Sequence, residues 1–481
     1  MLFIQSSELA LRLTEPERLR LLDALAPRGF DPLIRSARRR LFQLLTQGVD
    51  GPPEGAAAEL ERECAAEREA KGGAAYTPGD LFCVGDCVLF LVFGAGAEEG
   101  VRAGVVYGAA AAAPVAKLDR FCRVVCEALG GLRAGGRGAA DGTPAEPQQW
   151  RARSGRPSQG LARFIAVQPA DYVRAAAVRR GARDLTRASE LMEHDSVRSF
   201  LRRVQEMRRE GFSPRRLLKE AGALGDVSVE RMLEAGLLER EVRVSCRESG
   251  HALFDLPSPD SLAAITISKA KCSQCAAPVA DEVIEETLSP TRLAVSLLED
   301  GGWLNSRVYQ LIRSLGIPES EIASGPPSPH GESCLAVEIC GDSFLFVARD
   351  GELTPAVSRR VAGLVEETEA THLVVVTTAP AEGEGRLRLY EFAWRRARAG
   401  RDLGMTIIEG LDGARPQIER AFSGAAQREL TRNLFPLDAA LGYSASNFVL
   451  SWFKSAKATG ARHRAAAPAL PLIELDHRAA S

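Results

Sequence analysis

The segment that most restricts the fold is THLVVVTT, Thr371–Thr378, a continuous apolar run between two amphipathic stretches. A strand without polar alternation must be covered on both faces, as happens where helices cross over a parallel sheet. The flanks supply such helices: TPAVSRRVAGLVEETEA before it and RLRLYEFAWRRARAG after it. GMTIIEG then reads as a strand and ARPQIERAFSG as a helix. Upstream, SCLAVEICG and DSFLFVARD read as adjacent strands joined at a Gly-Asp turn. They are preceded by SPTRLAVSLLEDGGWLNSRVYQLIRSLGI, two helices broken at Gly301–Gly302. From Leu288 the order is therefore helix, hairpin, helix, strand, helix, strand, helix, an α/β core over 288–425.

One core does not account for 481 residues. At roughly 150 residues per domain the chain has room for about three, so an α/β multidomain protein is expected. A net charge of −2 gives no overall pull toward nucleic acid or an anionic membrane, so any such contact needs a local patch. The opening MLFIQSSELALRLTEPERLR lacks the basic flank and apolar run of a signal peptide. The most apolar run, CVLFLVF, is strand-sized rather than membrane-spanning. The expectation is a soluble, cytoplasmic chain with no membrane partner, whose 10 cysteines stay reduced.

Residues 1–75 read as a helical segment, from the apolar period through Leu19, Leu22 and Leu25 and later Leu41, Leu44 and Leu45. A small α/β domain is expected over 76–185. DLFCVGDCVLFLVF and VRAGVVYG are its strands and AKLDRFCRVVCEALGGL its helix. A Gly/Ala/Arg/Pro-rich linker at about 131–160 follows, and LARFIAVQP is a returning strand. Residues 186–245 are helical: SELMEHDSVRSFLRRVQEMRREG is one long helix, followed by SPRRLLKEAG and SVERMLEAG, each opened by a capping serine, and then the strand LLEREVRVSC. Three helices and a strand match a winged helix-turn-helix in outline. Over 151–245, 20 Lys and Arg stand against 13 Asp and Glu, a local charge of +7. Arg202, Arg203, Arg208, Arg209, Arg215, Arg216 and Lys219 are the candidates for phosphate contact. Solvated i,i+4 Arg–Glu pairs account for the same composition. The stretch 426–481 is a C-terminal extension with a mobile tail.

The cysteines group locally. KCSQC carries Cys272 and Cys275 at the spacing that lets two thiolates meet one tetrahedral ion from a tight turn. SCRESGH supplies Cys246 upstream. Residues 246–287 thus resemble a zinc ribbon, a module built on two C-x-x-C pairs. Ser249 stands where the second cysteine would be, and His251 is the natural substitute, which gives a structural Cys3His zinc site. The alternative is a ribbon that has lost its metal and keeps buried thiols. Cys83, Cys87, Cys122 and Cys126 are read as small core residues rather than a second metal site.

The zinc ribbon, the helix, the hairpin and the VVVTT strand together resemble the restriction-endonuclease-like superfamily, PD-(D/E)xK, over 288–425. One of the three strands usual before the second helix has no obvious segment. The resemblance implies an acid on the first hairpin strand and an acid-x-Lys on the second. Together they hold Mg²⁺, which polarises the phosphodiester and activates water. Aligned on FLFVARD, the acid position falls on Val347 and the lysine position on Arg349, with the first-strand acid near Leu335 or Ala336. No catalytic residue remains on that alignment. Glu299, Glu338, Asp342 and Asp350 (with Glu352 beside it) are the acids that could be relocated, and Mg²⁺ is a cofactor only if they are. The expected function is a non-catalytic, nuclease-like protein binding DNA or a partner protein, in settings such as bacterial restriction or antiphage defence. An active Mg²⁺-dependent nuclease and a structural subunit without nucleic acid are the alternatives, and self-association stays open.

Overall fold

The computed structural model describes residues 1–46, 56–70, 75–94, 100–134, 150–152, 159–166, 183–209, 228–248, 252–256, 271–276, 283–299, 301–326, 328, 330–441 and 444–465. Two compact units emerge: Met1–Arg156 with Ser423–Ser481, and Pro157–Phe422. Among the described residues no helix is long and apolar enough to cross a membrane.

The first unit is built from β1 (Leu2–Leu9), α1 (Glu15–Leu25), α2 (Leu33–Thr46), α3 (Ala56–Ala70), β2 (Gly79–Val84), β3 (Cys87–Phe93), β4 (Val101–Gly108), α4 (Pro114–Ala134) and β5 (Arg151–Ala152). Its sheet has the order β2-β3-β4-β1-β5 and is antiparallel throughout. The chain therefore begins with a strand, not a helix. β1 pairs along its whole length with β4, from Leu2↔Gly108 to Leu9↔Val101. Its partner lies so far along the chain that the short LFIQSSEL pattern gives little local sign of it. DLFCVGDCVLFLVF is a hairpin rather than one strand, turning at Gly85, whose φ of +62° suits glycine. All seven residues of β3 are buried, so both faces of the sheet are covered. Leu21, Leu22 and Leu25 of α1 and Phe121, Val125 and Leu129 of α4 fill one side with Phe82, Leu89 and Leu91. Asp80 fixes the start of α2 by accepting from the Ile34 and Arg35 amides at 2.7 and 2.9 Å. Burial pushes that carboxyl up to about 7 against the pull of those donors.

The second unit contains α5 (Gln159–Ala166), α6 (Arg183–Leu191), α7 (Asp195–Arg209), α8 (Val229–Glu234), β6 (Leu238–Ser245), β7 (Ala252–Leu256), β8 (Val283–Pro290), α9 (Arg292–Glu299), α10 (Gly302–Ser314), β9 (Ile322–Ser324), β10 (Glu332–Ile339), β11 (Asp342–Arg349), α11 (Pro355–Thr368), β12 (His372–Thr377), α12 (Gly383–Arg398) and β13 (Gly404–Glu409). The long α13 (Ala414–Leu441) starts here, and its residues from Ser423 belong with α14 (Ala445–Ala465) to the first unit. Residues 426–441 and 445–465, in the stretch expected as an extension, are thus helices of the first unit.

The main sheet has the order β13-β12-β11-β10-β9. β10 runs antiparallel to both β9 and β11, and β12 and β13 continue parallel to β11. Only three residues long, β9 is the strand the sequence did not reveal; it is too short to show a period. The hairpin turn is Cys340–Gly341, both with positive φ (52° and 81°), one position before the expected Gly-Asp pair. One face of the sheet buries Cys334, Ala336, Leu345, Val347, Leu373 and Val375 against α11, α12 and α5. The first six residues of LARFIAVQP, 161–166, are therefore helical, with Leu161 and Phe164 buried in this cluster, and not a strand of the first domain; the last three lie outside the described residues. On the other face α10 packs against β10 and β11, burying Trp303, Leu304, Val308 and Ile312.

Around this core, the expected long helix is two, α6 and α7, with a break at Met192–His194. Arg198 of α7 holds that break by donating to the Met192 and Glu193 carbonyls at 2.5 and 2.9 Å. Ser228 caps α8 as expected, accepting from the Arg231 amide at 3.3 Å. β7 and β8 both pair antiparallel with β6, so the three strands form one sheet. A boundary at 245/246 falls inside a hairpin, and β8 runs across the boundary expected at 287/288.

Candidate functional site

Two places in the second unit concentrate chemistry. The first is the cysteine group. β6 delivers Cys246 at its end, and the turn after Lys271 brings in Cys272 and Cys275. Ala276 closes that turn with φ +61° and donates to the Cys272 carbonyl at 2.9 Å. The three Sγ atoms lie within 4.8 Å of one another, with Cys246 and Cys275 at 3.3 Å. A tetrahedral thiolate site with 2.3 Å metal–sulfur bonds has sulfurs about 3.8 Å apart, so the spacing fits one ion. The backbone amides of Cys275 and Gln274 bond to the Cys272 sulfur and lower its thiol to about 7. Stabilising a thiolate beforehand is what a metal site requires. Cys246 and Cys272 are buried and Cys275 is half-buried. Ser249 and His251 lie outside the described residues.

The other cysteines do not converge. Among the described residues no further group of three ligand-bearing side chains meets. Cys126 receives the Trp150 indole N–H at 3.1 Å, Cys122 is a buried core residue pushed up to about 12 by burial, and Cys83 and Cys87 flank a turn.

The second place is the end of the main sheet where β11, β12 and β13 finish and β10 begins, the position at which open α/β sheets bind ligands. Three acids stand here and each is held by protein groups. Glu332, the first residue of β10, is 3% exposed in its side chain and paired in register with Arg349. Its carboxylate contacts Arg360 of α11 and lies 3.7 Å from Arg349. Asp350 follows β11. It accepts from Arg202 at 2.9 Å, the Trp303 indole N–H at 3.2 Å and the Thr378 hydroxyl at 2.9 Å. Arg198 approaches it at 4.0 Å while lying 4.5 Å over the Trp303 ring. Glu409, at the end of β13, is lowered by the Ala381 amide and the Arg386 guanidinium.

Geometry separates these acids as firmly as charge neutralises them. Successive strand residues point to opposite faces. Arg349 and Glu332 therefore face α11, whereas Asp350 turns to α10 and α7, as its contacts with Trp303, Arg198 and Arg202 show. A divalent ion needs carboxylates converging on one point. Arg198, Arg202, Arg349 and Arg360 surround Glu332 and Asp350, while Arg198 also pairs with Asp195 at 3.0 Å and Glu409 is paired with Arg386. The Nε donors of Arg198, Arg349 and Arg360 are buried without a hydrogen-bond partner.

The relocated-acid candidates fare no better. Glu338 pairs in register with Ser343, and Asp342 opens β11, at the hairpin end of the sheet. Eight residue steps separate Asp342 from Asp350, about 25 Å along a strand. Glu338 sits beside Glu321, whose carboxyl is raised by burial and by that neighbour. Glu299 ends α9. Val347 is fully buried in the core, and Leu335 and Ala336 are core residues too. Glu332 and Arg360, which dominate the site, escaped the motif alignment. Glu332 lies three positions before the expected acid, and only the register with Arg349 reveals it.

The basic candidates divide. Arg202 binds Asp350, and Arg208 binds Glu241 at 2.6 Å, so both act inside the protein. Arg203 is exposed on α7. Arg215, Arg216 and Lys219, and the side chain of Arg209, lie outside the described residues. Compared with family models, curated proteins and solved structures, the chain matches none.

Proposed function

We propose that the second unit is a restriction-endonuclease-like module that binds nucleic acid without cutting it, braced by a structural zinc. The observation that carries this reading is the charge at the sheet end. Glu332 and Asp350 stand at this end of the sheet, but arginines pair with them and they point to opposite faces. Acids already paired with arginines bind a divalent cation poorly, and guanidinium groups suit a phosphate. The order α10, three antiparallel strands, α11, β12 agrees with what the resemblance implies, including the strand β9. The donor set of Cys246, Cys272 and Cys275 suits zinc, with His251 as the fourth ligand. Four protein ligands leave no position open for catalysis.

A single preparation tests this. The full chain is mixed with labelled duplex DNA in Mg²⁺ or Mn²⁺, and binding and cleavage are followed together. Binding should weaken as salt rises, and reversing the charge of Arg215 and Arg216 should reduce the salt slope by about 2. No cleavage is expected. Metal-dependent cleavage abolished by Glu338→Ala would establish a nuclease with relocated acids instead, and salt-independent or absent binding would favour a structural subunit.

A further inference from the structure

The three cysteines near the end of β6 are not equally sheltered. Cys246, at 1% exposed, and Cys272, at 3%, are buried, whereas Cys275 keeps part of its surface in water. The sulfurs of Cys246 and Cys275 stand 3.3 Å apart. That separation is within the range at which two reacting atoms are poised to bond.

The third thiol is engaged differently. The Cys272 sulfur accepts from the backbone amides of Gln274 and Cys275, which fixes it to its own turn. Cys246 comes from another element, just past β6 (Leu238–Ser245). A bond from Cys246 to Cys275 therefore joins two separate stretches of chain, whereas one inside C-x-x-C would close only a single turn.

We propose that Cys275 is an oxidation site and Cys246 its resolving thiol, so that peroxide turns this metal site into a Cys246–Cys275 disulfide. Two thiols and one hydrogen peroxide give one disulfide and two waters. The Cys275 thiolate attacks a peroxide oxygen, the O–O bond breaks, and hydroxide leaves with a sulfenic acid remaining on Cys275. The Cys246 thiolate then attacks that sulfur, and the S–OH bond breaks to release a second hydroxide. Each hydroxide takes up one of the two thiol protons, and the two electrons lost by the sulfurs reduce the peroxide. With two thiolates consumed, too few ligands remain to hold zinc in tetrahedral coordination. Loss of zinc rests on the reading of these cysteines as a zinc site; formation of the disulfide does not. The new bond ties the end of β6 to the 272–276 turn as the metal would, so the oxidised chain keeps a constraint that a stripped one loses.

The test treats the full chain with hydrogen peroxide, measures zinc before and after, and maps its peptides by mass spectrometry with and without reductant. The Cys246 and Cys275 peptides should become linked, zinc should leave in proportion to the link, and dithiothreitol with added zinc should reverse both. Cys246→Ser should lose the link and leave a sulfenic acid on Cys275 that dimedone captures. Oxidised wild type should melt above the reduced, chelator-treated protein. A Cys272–Cys275 link instead would overturn the proposal, as would thiols at 246 and 275 that stay reduced while the exposed Cys83 is oxidised. A chain isolated without zinc would sink the metal reading alone, and the peptide map would still decide the oxidation. If Cys246→Ser fails to fold, the wild-type map decides it.

Discussion

Glu332→Ala is expected to destabilise the second unit by about 3 kcal/mol, read as a lowered denaturant midpoint with an unchanged slope. The side chain is almost wholly buried, and its removal leaves Arg349 and Arg360 facing each other without their shared carboxylate. The two arginines keep 27% and 36% of their side chains in water, which places the effect at the lower end for a broken buried pair. Cys334, whose thiol is pushed up to about 12 by burial and by Glu332, would lose the second of those influences. A double-mutant cycle with Arg360→Met isolates the coupling. If Glu332 served a metal instead, its replacement would relieve repulsion between acids and would cost little or even stabilise. The sign of the change therefore separates an ion pair from a metal ligand.

Cys272→Ser is expected to have the larger effect of the two. Metal content should fall from about one zinc per chain to a small fraction of that. The three-stranded sheet β7-β6-β8 should lose its protection from amide exchange near Cys246. Binding free energy at a structural zinc site becomes folding free energy, and peptide sites of this type contribute about 10–16 kcal/mol. The β6–β8 pairing, which spans eight residue pairs, holds this sheet together besides the cysteines, so the loss here should be smaller. The melting temperature should therefore drop while the main sheet persists. A chelator should produce the same loss in the wild type and none in the variant. Equal metal content in both proteins would mean that the cysteines are only buried thiols.

The parts of the fold legible in the sequence were those with strong local periods. The buried strand β12, its flanking helices and β13 follow from an apolar run and 3.6-residue stripes, and Ser228 follows from capping chemistry. What escaped was set at long range or in very few residues. β1 reads as a strand only beside β4, α5 shows its helical face only against the α11 side of the sheet, and β9 has three residues. The cysteine group was legible because C-x-x-C is local, and Cys246 was the nearest remaining thiol. The charge-paired sheet end was half legible. Val347 and Arg349 could be read against the motif the resemblance implies, but Glu332, Arg198 and Arg360 come from β10, α7 and α11, and no linear spacing joins them. Asp350 looked like a turn acid and proved to be a hub for Trp303, Thr378 and Arg202.

The central claim is that arginines, not a divalent ion, satisfy the acids at the end of this sheet. Titrating the full chain with Mn²⁺ and following bound metal by electron paramagnetic resonance tests it most directly. The account predicts no stoichiometric binding at millimolar Mn²⁺, and the same result for Asp350→Ala. One Mn²⁺ bound per chain and released by Asp350→Ala or Glu332→Ala would contradict it.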